Sequence, residues 1–210
     1  MTLIAPRPTR GPHRLRLSEL GPVRGGYVEP RRGATEPGGD FLAFQASDIA
    51  PGGAIAWATL PRITPAFDGT RYLVRDGDIL VPLRAVRPKA VVIEDPPPSV
   101  IAAGHWAILS PDPDVVESDY LAWYLNHRAA AARLEALMQG TKLRFLSLKV
   151  LRDFEVEIPP LEVQRRIARA HALHERVTEL EEQLAAARRE LVDTLTLTAL
   201  RRTGNTTTDE

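Results

Sequence analysis

The sequence predicts an α+β chain: a β-rich domain with short helices over residues 14–160, then one long C-terminal coiled-coil helix over residues 161–202. Three observations predict it. Between Leu15 and Pro98, short apolar runs recur about every ten residues with Gly, Pro and Asp between them, the pattern of strands joined by surface turns. From Asp119 the apolar spacing changes to a period near that of a helix. Residues 161–202 then contain no Gly and no Pro, and are built largely from Leu, Ala, Glu, Arg and Gln.

Each element follows from local signals. Residues 1–13 carry three prolines and no periodicity, and read as a tail. Strands are expected at Tyr27-Val28, Phe41–Phe44, Ala54–Thr59, Tyr72–Val74, Ile79–Leu83 and Ala90–Ile93. Turns separate them at Pro37–Asp40, Pro51–Gly53, Asp68-Gly69 and Asp76–Asp78. Pro96-Pro97-Pro98 ends this block, and Val100–Leu109 fits one further strand. Asp119 can cap a helix with Leu121, Tyr124, Leu125, Leu134, Leu137 and Met138 on its apolar face, ending at Gly140. Ser147 can cap a short helix to Arg152, Phe154–Ile158 alternates as a strand does, and Pro159-Pro160 close the domain.

In the last segment Leu173, Val177, Leu180, Leu184, Ala187 and Leu191 step by 4, 3, 4, 3, 4, the seam of a coiled coil. A helix of that length spans about 60 Å. Its stripe calls for a partner, most simply a second copy of the helix; a solvated terminal helix is the plainer alternative. Residues 203–210 read as a frayed tail.

Composition removes whole classes of function. The 27 Lys+Arg equal the 27 Asp+Glu, so bulk charge cannot hold the chain on nucleic acid, although a local patch can. Two stretches are basic: Arg62 to Lys89, and Arg128 to Arg152, where only Glu135 opposes six cations. A solvated face explains such clusters as readily as a binding site does. The absence of cysteine excludes disulfides, zinc–thiolate sites and a thiol nucleophile, and suits a reducing compartment. With no secretory signal and no apolar run of membrane-spanning length, a cytoplasmic chain is expected.

Catalytic arrangements are hard to find. His13, His105, His127, His171 and His174 show no metal-ligand spacing, and neither a phosphate loop nor a nucleophile elbow occurs. Asp76, Asp78, Glu94 and Lys89 are loose candidates for a Mg²⁺ nuclease, against the simpler reading of Asp76-Gly77-Asp78 as a turn. Trp57, Trp106 and Trp123 could stack on bases, yet their apolar neighbours suit a core. The chain is expected to bind, with no catalytic residue, metal or cofactor of its own.

One ordered set of motifs goes further. It runs Asp76-Gly77-Asp78-Ile79-Leu80, Tyr120-Leu121-x-x-Tyr124-Leu125, Gly140-Thr141 leading to Phe145-Leu146-Ser147, then Ile158-Pro159-Pro160-Leu161-Glu162-x-Gln164-x-x-Ile167-Ala168. Followed by the heptad helix, this resembles the DNA specificity (S) subunits of type I restriction–modification systems. Leu15–Tyr27 and Gln45–Ile49 match the start of the same recognition domain more loosely. Val163 and Arg84-Ala85 depart from the pattern locally.

The resemblance implies two target-recognition domains per S subunit, each followed by a long helix, the two helices packing antiparallel as a spacer. It implies double-stranded DNA as ligand and an adenine methyltransferase subunit, which binds S-adenosylmethionine, as partner. Restriction subunits join when present. The S subunit itself does no chemistry. This sequence has one recognition domain and one helix, so a homodimer through the C-terminal helix, reading a palindromic bipartite site, is expected. A second, different half-subunit would serve the same heptads. The expected DNA contacts are Gln45, Ser47, Arg84, Arg87, Lys89, Thr141, Lys142 and Arg144, with Arg31 and Arg32 as phosphate clamps; the dimer contacts are Leu173, Val177, Leu180, Leu184, Ala187 and Leu191. The methyltransferase contact is expected to include the helix root, near residues 164–169. The competing reading is a non-catalytic coiled-coil adaptor whose globular head binds another protein.

Overall fold

The structure, a computed structural model, describes residues 13–29, 36–50, 53–86, 88–140 and 144–204. The chain divides into two compact units, Met1–Ala168 and Arg169–Glu210. Its strands are β1 (His13–Arg16), β2 (Val23–Gly25), β3 (Glu36–Phe44), β4 (Arg62–Thr64), β5 (Ile79–Pro82), β6 (Val91–Val92), β7 (Val100–Ala102), β8 (Trp106–Leu109) and β9 (Glu155–Ile158). The helices are α1 (Ser118–Asn126), α2 (Arg128–Leu137), α3 (Leu148–Arg152) and α4 (Leu161–Gly204). A β-rich domain with short helices, then one long helix, is the architecture the sequence predicts.

The first unit is layered about an antiparallel sheet of order β2-β8-β5-β6. Side chains alternate across a strand, and here both faces are covered. Ile79, Val81, Ala107 and Leu109 join a core with Leu121, Leu125, Leu134 and Leu151 of the helices. Their neighbours Leu80, Trp106 and Ile108 join a second core with Phe44, Val74 and Val100. That second core lies against the sheet β4-β3-β7, in which β3 and β7 run parallel. Burial on both faces is why β5 and β8 read as unbroken apolar runs. The small sheet β1-β9 closes the unit, with His13 opposite Ile158 and Arg16 opposite Glu155.

Several elements differ from expectation. The helix expected over 119–140 is two helices, broken at His127, where ψ is 138°. The cause is tertiary: the Asn126 side chain accepts from Ala90 N–H at 2.7 Å and donates to Ala90 C=O at 2.9 Å, tying the end of α1 to the sheet. The N-cap of α1 is Glu117, not Asp119. Ala54–Thr59 is a 3-10 turn at Trp57–Thr59 preceded by an isolated bridge from Ile55 to Ile49, not a strand. Tyr72–Val74 keeps one bridge, Leu73 to Ile101, after a 3-10 turn at Gly69–Tyr72. Val100–Leu109 is two strands, turned at Gly104 with φ +108°, a conformation that favours glycine. Strand β1 starts at His13, inside the expected tail. Ser147 caps α3 as expected, its Oγ accepting from Val150 N–H at 3.2 Å.

The first two turns of α4 belong to this unit. Ile167 and Ala168 pack on the helical core, and Gln164 is fully buried. Its amide donates to Val115 C=O (3.1 Å) and Pro159 C=O (2.8 Å), and accepts from Glu117 N–H (2.9 Å). Arg165 pairs with Glu117 at 2.6 Å on the exposed side. The second unit, described by itself, is the rest of α4. Leu173, Val177, Leu180, Leu184 and Leu191 are each about half exposed or more, Ala187 is exposed with them, and i,i+4 and i,i+3 contacts join His171 to Glu175 and Arg176 to Glu179. Among the described residues no helix is long and apolar enough to cross a membrane.

Candidate nucleic-acid interface

One edge of the first unit collects the ends of several strands. Strands β3 and β7 run parallel with Phe44 opposite Ala102, so Gln45 and Ala103 leave the sheet together. Ala103 N–H donates to Phe44 C=O, and Gly104 N–H to Tyr27 C=O, which brings the exit of β2 to the same place. After the Gly104 turn, β8 starts at Trp106 opposite Pro82 of β5. Leu83 N–H donates to His105 C=O at 2.7 Å, and Leu146 N–H to Leu83 C=O at 2.8 Å. Arg84 bridges to Phe145, which bridges in turn to Gln139. Lys89 belongs to the connection between the antiparallel strands β5 and β6, which leaves β5 at Pro82 on this edge.

The topology therefore gathers residues far apart in sequence: Gln45 and Ser47, Arg84 and Lys89, His105, and Arg144-Phe145. Gln45, Ser47, Arg84, Lys89 and His105 are exposed. The turn carrying Gln45 is fixed by Asp48, whose carboxylate accepts from the Gln45 N–H at 2.7 Å. Arg144 is half-buried, and its guanidinium donates to Glu135 C=O near the end of α2. It is a second donor to a carbonyl that already accepts from the Met138 N–H at the C-cap, a structural duty the sequence did not reveal. Arg31, Arg32, Arg87, Thr141 and Lys142 lie outside the described residues.

The edge carries several basic side chains. Arg84, Lys89 and Arg144 bring cations to it, and the His105 imidazole is held below the ordinary histidine range, first by partial burial and then by the charge of Arg84. The sequence around His105 carries no ligand spacing or motif; its place beside the Gly104 turn is what makes it part of this edge.

The other chemical candidates have structural partners. Asp78 is buried and accepts from Ser110 Oγ (2.6 Å), Arg75 N–H (2.9 Å) and Arg24 Nη2 (3.1 Å). Burial lowers the Arg24 pKa, a shift that Asp78 opposes and Arg75 reinforces. Asp76 accepts from Asp95 N–H, and Ser118 Oγ donates to Gly77 C=O, so the Asp76-Gly77-Asp78 turn pins strand ends to α1. Among the described residues no group of three or more His, Cys, Asp or Glu is placed to hold a metal ion. Trp106 is buried and stacked on Phe44, with Trp57 tilted against the same ring. Trp123 lies among Tyr120, Tyr124 and His127. At the helix root, the burial of Gln164 makes that residue part of the domain's own framework.

Comparison with known proteins bears on this arrangement. A family model described as the type I restriction modification DNA specificity domain matches residues 39–187. The chain is similar in structure to the HsdS subunit from Thermoanaerobacter tengcongensis, with 22% identity and a TM-score of 0.60 over 96% of this chain and 52% of that one. It is similar to the type I restriction-modification system S subunit from M. genitalium, with 14% identity and a TM-score of 0.55 over 87% of this chain and 44% of that one. A third likeness is to a chain from a structure concerned with complex assembly and conformational transition of the type I R-M system, with 19% identity and a TM-score of 0.61 over 95% and 51%. At these identities the likeness shows the fold, and the chain spans about half the length of these relatives. Among curated proteins nothing matches.

Proposed function

From the premise that the chain belongs to the type I restriction–modification DNA specificity family, we propose that it is a DNA-reading subunit directing an adenine methyltransferase to a bipartite site. The observation that carries this reading is the convergence of Gln45, Arg84 and Lys89, exposed and from separate loops, on one edge of the first unit. Cations there meet phosphates and supply affinity. Base edges in the major groove are read by geometry, Arg suiting guanine and Gln suiting adenine.

The family is non-catalytic in general, and this chain leaves the methyl transfer, with its S-adenosylmethionine, to the partner subunit. The second half of the site is read by a second copy, paired through Leu173, Val177, Leu180, Leu184, Ala187 and Leu191. Their exposure along one heptad seam supports that pairing. An isologous pair reads an inverted repeat. The exposed side of the helix root, with Glu162, Arg165 and Arg166, is offered to the methyltransferase. A restriction subunit joins the same assembly when one is present.

The test is co-expression with the adenine methyltransferase encoded beside the chain, followed by genome-wide mapping of methylated adenines. A single interrupted palindrome is the expected result. A non-palindromic bipartite motif would replace the second copy with a different half-subunit. No methylation, with no co-purification of the two chains, would favour the protein-binding adaptor.

A further inference from the structure

The edge that gathers the cations also gathers apolar side chains. Among the described residues before Arg169, six large hydrophobic side chains are exposed: Val28, Phe67, Val86, Leu137, Phe145 and Val163. Three of them, Val28, Val86 and Phe145, sit where β2, β5 and the Phe145 bridge meet this edge. Val86 is 84% exposed, the most of any of them, and follows Arg84 by two residues. Phe145, 40% exposed, is the bridge partner of Arg84 itself. Isolated surface hydrophobics need no explanation. A valine two residues after an exposed arginine, with a phenylalanine as that arginine's bridge partner and the arginine's charge felt by His105, does.

Resting on the DNA-reading function above, we propose that Val86, supported by Phe145, reads the C5-methyl group of a thymine beside the base or phosphate met by Arg84. The chemistry is specific to this occupant. In the major groove, thymine alone among the four bases carries a methyl group, and apolar side chains are what recognise it. The flanking cations supply the phosphate attraction that brings the groove to Val86. A second protein would cover a wider apolar area than three separated side chains and would gain little from the surrounding charge.

The proposal is tested with the full chain and a pool of random-sequence 40-base-pair duplexes, sequencing the bound fraction for the wild type and for Val86→Ala. Each thymine of the wild-type motif is then replaced by deoxyuridine, which removes only the methyl group. One thymine should lose about fourfold in affinity for the wild type, the value for burying one methyl-sized group. Val86→Ala should show little penalty at that thymine and a relaxed preference there, the other positions being unchanged. Val86 is exposed, so its truncation leaves the core intact, and an unchanged melting temperature confirms this. Equal deoxyuridine penalties in both proteins, or a motif without thymine, would overturn the assignment of Val86 while leaving the DNA-reading function standing. No enriched motif for the wild type would overturn both.

Discussion

Replacing Gln164 tests how the long helix is joined to the domain. In Gln164→Leu the volume is nearly kept, and three hydrogen bonds are lost: from the amide to Val115 C=O and Pro159 C=O, and from Glu117 N–H to the amide oxygen. Each stranded backbone group costs about 1–3 kcal/mol when buried. The partner residues are half-buried rather than sealed, so the lower part of the range applies, about 3–5 kcal/mol in all. That is a large share of the about 5–15 kcal/mol that holds a domain together. Urea unfolding followed by tryptophan fluorescence should show a lower midpoint with an unchanged slope, and melting should fall by about 6–20 °C. Amide exchange adds a local readout, because Glu117 N–H should lose its protection. Gln164→Glu keeps the acceptor for Glu117 but turns a carboxylate toward two carbonyls. It should therefore be at least as damaging at neutral pH and recover partly on acidification, when the carboxyl regains a donor. A loss below about 1 kcal/mol in Gln164→Leu, with Glu117 still protected, would refute the claim that this side chain anchors the root.

Two further perturbations address the interface and the core. Arg84→Ala should weaken duplex binding and reduce the slope of log K against log salt by about 0.9. It should also raise the His105 pKa by removing a like charge, while burial still holds that pKa below the ordinary value; a histidine NMR titration and a salt series check both, and an unchanged slope removes Arg84 from the phosphate contacts. Tyr120 donates to Glu157 C=O at 2.7 Å, and its phenol is pushed up to about 12, first by burial and then by Tyr124 and Glu157. The unfolded phenol ionises near 10, so stability is intact below that pH and is lost between about 10 and 12. Tyr120→Phe should cost about 1 kcal/mol at neutral pH and flatten that alkaline loss; denaturation curves at pH 8 and pH 11 decide it.

What could be read from the sequence depended on whether the cause was local. The long helix, the Ser147 cap and the strands at Ile79 and Phe154 follow from periodicity and capping chemistry within a few residues. The break at His127 does not, since nothing in Asn126-His127-Arg128 stops a helix; the distant Ala90 backbone, claimed by Asn126, does. The 3-10 turn at Trp57 has no clear local signal either; its indole packs on the Phe44 ring, on a separate strand. At the interface, residue types were legible but their convergence was not. Arg84 meets Phe145, and Gln45 leaves the sheet beside Ala103, because of strand order, which no short window contains. Arg144 looked free for DNA because its carbonyl partner lies on another element.

The pairing of β1 with β9 has a consequence in time. Arg14 and Glu157 are joined across 143 residues of chain, so during synthesis at about 5–20 residues per second β1 waits about 7–30 s for its partner strand. An unpaired strand invites association with neighbouring chains. Strand β1 reads His-Arg-Leu-Arg, with two arginines in four residues, and such charge discourages mispairing of an open edge. When β9 arrives, Glu155 and Glu157 stand opposite Arg16 and Arg14. The charges that guard the waiting strand also select the one meant to cover it, and the ribosome releases that strand directly before the helix.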